Sequence, residues 1–580
     1  MKYHSITLFL AALMFASCGK DFLERFPLSQ LSPETFFNNE RDLELYTNSF
    51  YAYLPGEEAY LDDQQSDNLA VTTASIQEII SGKLAVPTSA SEAGWTWGPL
   101  RNINYFLANY QKADEPQAVK DQYAGLARFF RAMFYFEKVK RFGDVPWYAH
   151  PLDDSSEELY KARDPRSLVM DSVLADVNFA VAHLGTGKST SRITRWTALA
   201  LKSRICLFEG TFRKYHTTLG LDDANQWLEQ AYQAAQLLMD SGQYAVYSTG
   251  SPETDYLNLF SQSNANAKEI ILAMAYDGAE HMRYHQANAV FTVATLGNPG
   301  MTKSLVNTYL MRDGSRFTDL PGYASMMFAS EVENRDPRLK QTIRTPGYTR
   351  TGTNVPLVPD FANARTGYQV IKYVTTLNED GNRNTNDLPI FRYAEVLLNF
   401  AEAKAELGTL TQEDVNKSIN QLRNRVGMPP MVLSALTLDP VLSEQYTHVD
   451  DPLILEIRRE RRVELAIEGF RYHDLMRWRE GHLLARKFKG MYFPSKGSFD
   501  LDGNGTMDVA LVDAMPASPQ QGVQYVVLGN DLELADTNNG NLVFRPNETK
   551  IFNENKHYLF PLPRTERLLN PKLTQNPEWE

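Results

Sequence analysis

The sequence predicts a mainly α protein: a frame of tetratricopeptide-like helix pairs with irregular loop and short-strand insertions. Three observations lead there. Apolar residues recur at three- and four-residue spacing over long stretches, as a helix with one buried face requires. Small residues such as Ala401, Ala403 and Ala405 sit where helices approach closely. Two stretches, about 243–390 and about 484–556, break that spacing with Gly, Asn, Asp, Pro and Tyr. No fixed period of about 34 residues is present, so the repeat reading rests on helix pairing.

The elements follow in order. Ser32-Pro33-Glu34 is a helix start: a cap oxygen, a fixed φ, then an acid at the positive end. Asn39 with Asp42 reads as the next start, feeding Leu43, Tyr46, Phe50 and Tyr51. Over 117–142, Tyr123, Leu126, Phe130, Met133, Phe134 and Val139 keep helical spacing, and Gly143-Asp144-Val145-Pro146 stops it. Segments 168–184 and 194–208 form a second pair, with 226–238 after them. Segments 392–407 and 415–426 form a hairpin around Gly408-Thr409, and 452–467 is the last long helix. The frame thus occupies about 30–242 and 390–480, and the insertions about 243–390 and 484–556.

The chain has 580 residues, more than one packed core of about 250–300 residues accommodates. Hydrophobic residues at 43% and charged residues at 22% exclude a disordered, collagenous or rod-like chain. A net charge of −13 argues against nucleic acid, whose phosphates are bound by Lys and Arg. It argues equally against adhesion to anionic lipid.

The N-terminus reads as an address. A basic start precedes a largely apolar run over 6–16, shorter than the roughly 20 residues that span a bilayer. This fits a secretory signal over 1–17. Phe15-Ala16-Ser17-Cys18 resembles a bacterial lipobox, which predicts cleavage before Cys18 and acylation of Cys18, palmitate included. Such chains anchor a protein that does not span the membrane. An ordinary signal peptide with a chance Cys is the alternative. Cys206 is then left alone in a helical pattern, as a buried small hydrophobe.

Several catalytic patterns fail. Gly185-Thr-Gly187-Lys188-Ser189 resembles the tail of a phosphate-binding loop, but Ala182 stands where the first Gly belongs and a helix precedes it. His281 and His285 lack the Glu that a zinc protease places directly after the first His; Met282 is there. No Gly-x-Ser-x-Gly elbow occurs. Arg458, Arg459, Arg461 and Arg462 are interleaved with Glu456, Glu460 and Glu464, which predicts a salt-bridged helix face rather than a nucleic-acid patch.

Two patterns carry chemistry. Asp500, Asp502, Asn504, Thr506 and Asp508 alternate side-chain oxygens around Gly505, as a calcium loop does. The closing Glu is missing, since Leu511 holds that position, and a metal-free Asp/Asn/Gly turn is the alternative. Trp95 and Trp97 lie at i, i+2 between Gly94 and Gly98-Pro99. In an extended loop both indoles project to one side as a sugar platform, with Asp67, Asn68, Arg101 and Asn102 as polar partners. Packing of either indole against the helix at 102–110 is the alternative.

Taken together, several segments resemble the SusD/RagB family of outer-membrane nutrient-binding lipoproteins. They are Phe22-Leu23-Glu24-x-x-Pro27 with Ser32 to Phe37, Arg131-Ala132-x-x-Tyr135 running to Pro146, and Arg392 to Ala403. They continue with Arg459-x-x-Arg462-x-Glu464, Glu468-Gly469-x-Arg471, Asp474-Leu475-x-Arg477-Trp478, Tyr558 to Pro563 and Asn570 to Pro577. They run in order from residue 22 to 577. The resemblance implies a SusD-like domain over 18–580 with four tetratricopeptide-like pairs and variable ligand-binding insertions. It implies a lipid-anchored protein at the outer surface of the outer membrane that captures oligosaccharides or other polymer fragments. It also implies a lid on a TonB-dependent transporter and no catalysis. From the charge no nucleic-acid partner is expected, and no cofactor is required; the calcium-like spacing at 500–508 offers a structural ion. Trp95 and Trp97 lie where members put an aromatic, and Asp67 and Asn68 where they put a polar contact; Tyr284 and Tyr323 in the large insertion are further ligand candidates. An exported carbohydrate-active enzyme and a scaffold binding only protein stand as the alternatives.

Overall fold

The computed structural model describes residues 36–72, 78–279 and 282–579. Its frame is helical, as the spacing predicts. Helix α1 (Glu40–Asn48) starts where Asn39 Oδ1 accepts from the Asp42 amide at 3.3 Å. Helix α2 (Gly98–Asn109) leads into α3 (Gln117–Phe142), which ends at Gly143 with φ 70. Helices α4 (Arg166–His183), α5 (Arg195–Tyr215) and α6 (Ala224–Asp240) follow. The later block holds α7 (Tyr393–Glu406), α8 (Ile419–Arg425), α9 (Pro452–Glu464) and α10 (Arg471–Arg477), and the tail carries α11 (Arg564–Leu569). Helix α3 packs on α4, and α6 packs on both α5 and α7. The paired tetratricopeptide-like frame is therefore present.

Three boundaries differ from the sequence expectation. Helix α5 continues seven residues past 208, through Gly210. A Cβ on Gly210 would lie 2.8 Å from Leu228 Cγ, so the glycine permits the close approach of α5 and α6. The segment 415–426 is not one helix. It breaks at Ser418 (φ −127, ψ −94), between a short helix Gln412–Asn416 and α8. Helix α9 stops at Glu464 rather than 467, where Ile467 takes φ 61. The start at Ser32-Pro33 lies outside the described residues.

The strands are short. Strand β1 (Leu69–Ala70) pairs antiparallel with β3 (Gly300–Met301), and β2 (Ile270–Met274) with β4 (Leu388–Arg392). Strand β5 (Lys489–Phe493) pairs with β10 (Gly540–Phe544), which pairs with β9 (Leu532–Leu534). Strands β6 (Gly497–Phe499), β7 (Val509–Val512) and β8 (Gln524–Val527) form the last sheet, with β7 and β8 parallel.

Two apolar cores result. The helical frame supplies the first. The second draws mostly on 256–374 and 491–542, with Tyr60, Leu69 and Val71 joining from the N-terminal part. Helix α9 belongs to both: Ile454, Leu455 and Ile457 enter the first core and Val463 the second. Its charges are ion-paired, as expected, but they do not form a solvated face. Arg458 to Arg462 and Glu464 are buried, and most of their partners come from remote segments. Arg338 lies 2.6 Å from Glu460; Arg392 and Arg425 lie 2.8 and 2.6 Å from Glu464. A buried charge must be paired to be tolerated, so α9 acts as an ionic seam between the two cores.

Candidate functional site

The tryptophan loop is built by local chain geometry. A capping box at Ser89 and Glu92 starts the short helix Ala90–Ala93, and Gly94 (φ 73) ends it. The Trp95 amide then donates to Ala90 O at 2.7 Å. Trp97 is the residue before α2, with Pro99 in its first turn. Helix α3 holds the loop from below: Arg141 Nε donates to Ala93 O at 2.8 Å, and Lys138 Nζ donates to Gly94 O.

This compact turn does not project both indoles as an extended loop does. Trp95 is 3% exposed, with its ring edge-on to Phe142 at 4.9 Å and to Trp97 at 5.2 Å. Trp97 is half-buried among Phe134, Tyr135 and Tyr148. The reason is the left-handed Gly94, which turns the chain inward before α2 begins.

Trp97 borders a hollow of about 470 Å³, within the range of small-molecule sites. Tyr148, Tyr160, Arg101, His150 and Asp153 line it, and α11 closes one side with Glu566 and Leu569. Tyr160 is 51% exposed and Leu569 is 68% exposed. The segment carrying the tyrosines is fastened at its root. The Tyr148 amide donates to Tyr135 Oη at 2.6 Å, the Trp147 amide to Asp164 Oδ2 at 2.7 Å, and Lys161 Nζ to Trp147 O at 2.7 Å. Burial, with Asp164 and Glu158 nearby, pushes the Tyr148 phenol up to about 12, so it stays a hydroxyl donor. Ser155 and Ser156 donate to the exposed Asp153 carboxylate and hold it below its ordinary range. His150 and Glu158 stand 3.5 Å apart at the rim. Aromatic faces beside fixed donors and acceptors can hold a ring whose faces are apolar and whose edge carries hydroxyls.

Of the residues expected at the site, the structure brings together Trp95, Trp97 and Arg101. The others lie elsewhere. Asp67 and Asn68 are buried: Asp67 bonds Arg462 and Arg471 at 2.9 and 2.6 Å, and Asn68 Oδ1 accepts from Arg462 Nε at 2.9 Å. They belong to the ionic seam. Asn102 accepts from Tyr46 Oη at 2.7 Å and donates to Tyr53 Oη at 3.0 Å, on the side of α2 facing α1. Tyr284 is exposed and donates to Gly278 O, and Tyr323 packs on Phe317. None of the lining residues comes from 243–390 or 484–556. Sequence reasoning missed Tyr148, Tyr160 and His150. Their signal was a run of aromatic and polar residues, 146–160, directly after the stop of the longest helix. Cys18 and His281 lie outside the described residues. His285 is buried, with Nε2 2.9 Å from Asn386 O.

A sequence model of the SusD family matches residues 268–579, more than half of the chain. The chain belongs to the SusD family. SusD-like protein P2 of Formosa agariphila is 24% identical over 511 residues, covering 83% of this chain and 92% of the relative. A SusD-like protein of Bacteroides ovatus is 22% identical over 515 residues, covering 82% and 83%. Among solved structures, a SusD-like carbohydrate binding protein from Bacteroides fragilis superposes with a TM-score of 0.67 at 22% identity. It covers 93% of this chain and 100% of its own. A SusD homolog from Bacteroides thetaiotaomicron gives 0.62 at 20% identity, covering 97% and 100%.

This SusD-family chain also presents the acidic loop 500–508 between β6 and β7. Oxygens of Asp500, Asp502 and Asp508 lie within 4.8 Å of one another. Asn504 Oδ1 accepts from the Thr506 amide at 2.7 Å, and Thr506 is exposed. Burial opposes ionisation of Asp500, but the amides of Gly505, Gly503 and Asp502 outweigh it and hold the carboxyl low. Asp508 is raised, by burial first and by the neighbouring Asp502 and Asp500 carboxylates. A carboxylate trio in mutual repulsion is a donor set of the kind calcium takes.

Proposed function

We propose that this protein binds oligosaccharide or polysaccharide fragments at the outer surface of the outer membrane and passes them to a TonB-dependent transporter. The hollow beside Trp97 is the sugar-binding surface, and the protein performs no catalysis. The observation that carries the reading is the hollow itself: the exposed Tyr160 and half-buried Trp97 and Tyr148 stand beside Arg101, His150 and Asp153. Family membership and the likeness to a SusD-like carbohydrate binding protein support it. An acyl anchor on Cys18 would hold the protein to the membrane. Among the described residues no helix is long and apolar enough to cross one.

Calorimetric titration with plant, host and fungal polysaccharides tests the reading. Binding to at least one polymer, weakened in Tyr160→Ala with an unchanged melt, supports it. Full-strength binding in Tyr160→Ala and in Arg101→Ala removes the hollow from the site. Release of shorter products after incubation would instead favour the enzyme reading, which needs two carboxylates about 5–10 Å apart.

A further inference from the structure

The tryptophan loop also borders a second, double hollow. One part, about 410 Å³, reaches Gly94 and Pro99 and lies against α3 and α10. The other, about 490 Å³, extends to α5 and the junction of β4 with α7. The two share Tyr53, Asp62, Met133, Glu137, Lys140 and His473. At this waist Lys140 Nζ lies 2.7 Å from Glu137 and 3.3 Å from His473 Nε2. Burial, then Lys140 and Arg204, push the His473 imidazole well below its ordinary range. It is therefore neutral, and Nε2 accepts from the lysine.

The cations on these walls already have partners. Arg204 lies 2.6 Å from Glu395, Arg392 lies 2.6 Å from Glu468, and Arg477 lies 2.9 Å from Asp474. Asp62 is different. No ion pair among the described residues includes it, although it lines both parts. Burial raises its carboxyl to about 7; Lys140 draws it down, while Glu137, Glu58 and Asp63 push it up, and His473 faces it uncharged from α10.

We propose that this double hollow is a second binding site, separate from the Trp97 hollow, for a polyhydroxylated ligand of one or two sugar units. Its size is that of small-molecule sites. Tyr53, Phe134 and Tyr472 contribute apolar surface to its lining, while Asp62 and Lys140 offer hydrogen bonds. Among the described residues Arg204, Arg392 and Arg477 are ion-paired, whereas Lys138 and Arg141 donate to the Gly94 and Ala93 carbonyls and Asp62 is in no ion pair, so the walls carry hydrogen-bonding groups of both signs. The Asp62 carboxyl, raised by burial, has oxygens that can accept from a ligand hydroxyl. The assignment does not depend on the Trp97 hollow binding anything.

The test uses the full chain and free glucose, galactose, mannose, xylose, maltose and cellobiose, each up to about 50 mM. Three variants are compared with the unaltered protein by calorimetry and thermal melt. Asp62→Asn keeps the shape but removes the charge, Met133→Trp fills the waist, and Tyr160→Ala disables the other hollow. At least one sugar is expected to bind, unchanged in Tyr160→Ala and weakened about tenfold or more in Asp62→Asn, the cost of one charge-assisted hydrogen bond. Met133→Trp should abolish binding. Failure of every sugar to bind, or binding lost in Tyr160→Ala yet kept in both Asp62→Asn and Met133→Trp, overturns the assignment. Should Met133→Trp not fold, Asp62→Asn alone decides.

Discussion

The guanidinium of Arg462 lies 2.9 Å from the carboxylate of Asp67, a residue 395 positions earlier in the chain. Both side chains are buried, and Arg471 adds a second contact to the same carboxylate at 2.6 Å. Asp67→Ala leaves two buried cations without their counter-charge. Breaking a buried pair this way costs about 3–5 kcal/mol. The denaturant midpoint of the variant should fall accordingly. A loss under about 1 kcal/mol would mean that water reaches these arginines.

The pH dependence of stability has opposing parts. Asp67, Glu402 and Glu456 sit at about 2, since their arginines outweigh burial. Lowered acids stabilise the fold above their unfolded pKa, and the contribution is lost as pH falls from about 4 toward 2. The melting temperature should drop steeply there. Asp62 and Asp63 are raised by burial, to about 7 and about 6. Their contribution is complete below about pH 4 and lost as pH rises through 6 and 7. In Asp62→Asn that loss is removed at one site. The melting temperature of the variant relative to the unaltered protein should climb between about pH 4 and pH 7 and level off above that. A flat difference would show that Asp62 is solvated.

The two tryptophans and Tyr160 should respond differently. Trp95 is packed in the core, so Trp95→Ala costs about 3–5 kcal/mol in folding. Tyr160→Ala removes an exposed ring, so the melt stays the same. A lost stacking surface of roughly 1–3 kcal/mol weakens glycan binding about 5- to 150-fold. Paired calorimetry and thermal melts separate the cases. A Trp95→Ala protein that melts normally would contradict its burial.

Loop 500–508 is checked by metal removal. A calcium ion bound only to the folded protein at 100 times its Kd adds about 2.7 kcal/mol. Chelator should then lower the melting temperature, and Asp500→Ala should abolish the response. Identical melts with chelator and with added calcium would leave the loop a plain turn between β6 and β7.

If Cys18 carries the proposed acyl anchor, Cys18→Ala should release the protein from membranes. Fractionation followed by immunoblotting reads this. Complete retention in the membrane fraction would dismiss the anchor.

Much of the frame was legible because its signals are local. The spacing of Phe130, Met133 and Phe134, and the stop at Gly143, sufficed to define the longest helix within a residue of its ends. The break at Ser418 was not legible, since 415–426 carries no Gly or Pro inside it. Trp97 and Arg101 were found because they lie in one short stretch. Tyr160, His150 and Glu566 were not, because their nearness to Trp97 exists only after the chain has folded. Asp67 and Asn68 were read as ligand contacts, since nothing near them in sequence reveals the arginines almost four hundred positions later.

Helix α9 and its partners also set a timetable for biosynthesis. A ribosome releases Asp67 long before Arg471, which lies 404 positions downstream. At about 5–20 residues per second, the interval is roughly 20 to 80 s. Throughout that interval the segment around β1 is a finished sequence with an unfinished interior, because the cations that neutralise Asp67 have not been translated. The segment around β1 must wait for the last fifth of the chain, and a chaperone that meets the nascent chain in that interval meets this segment in its open form.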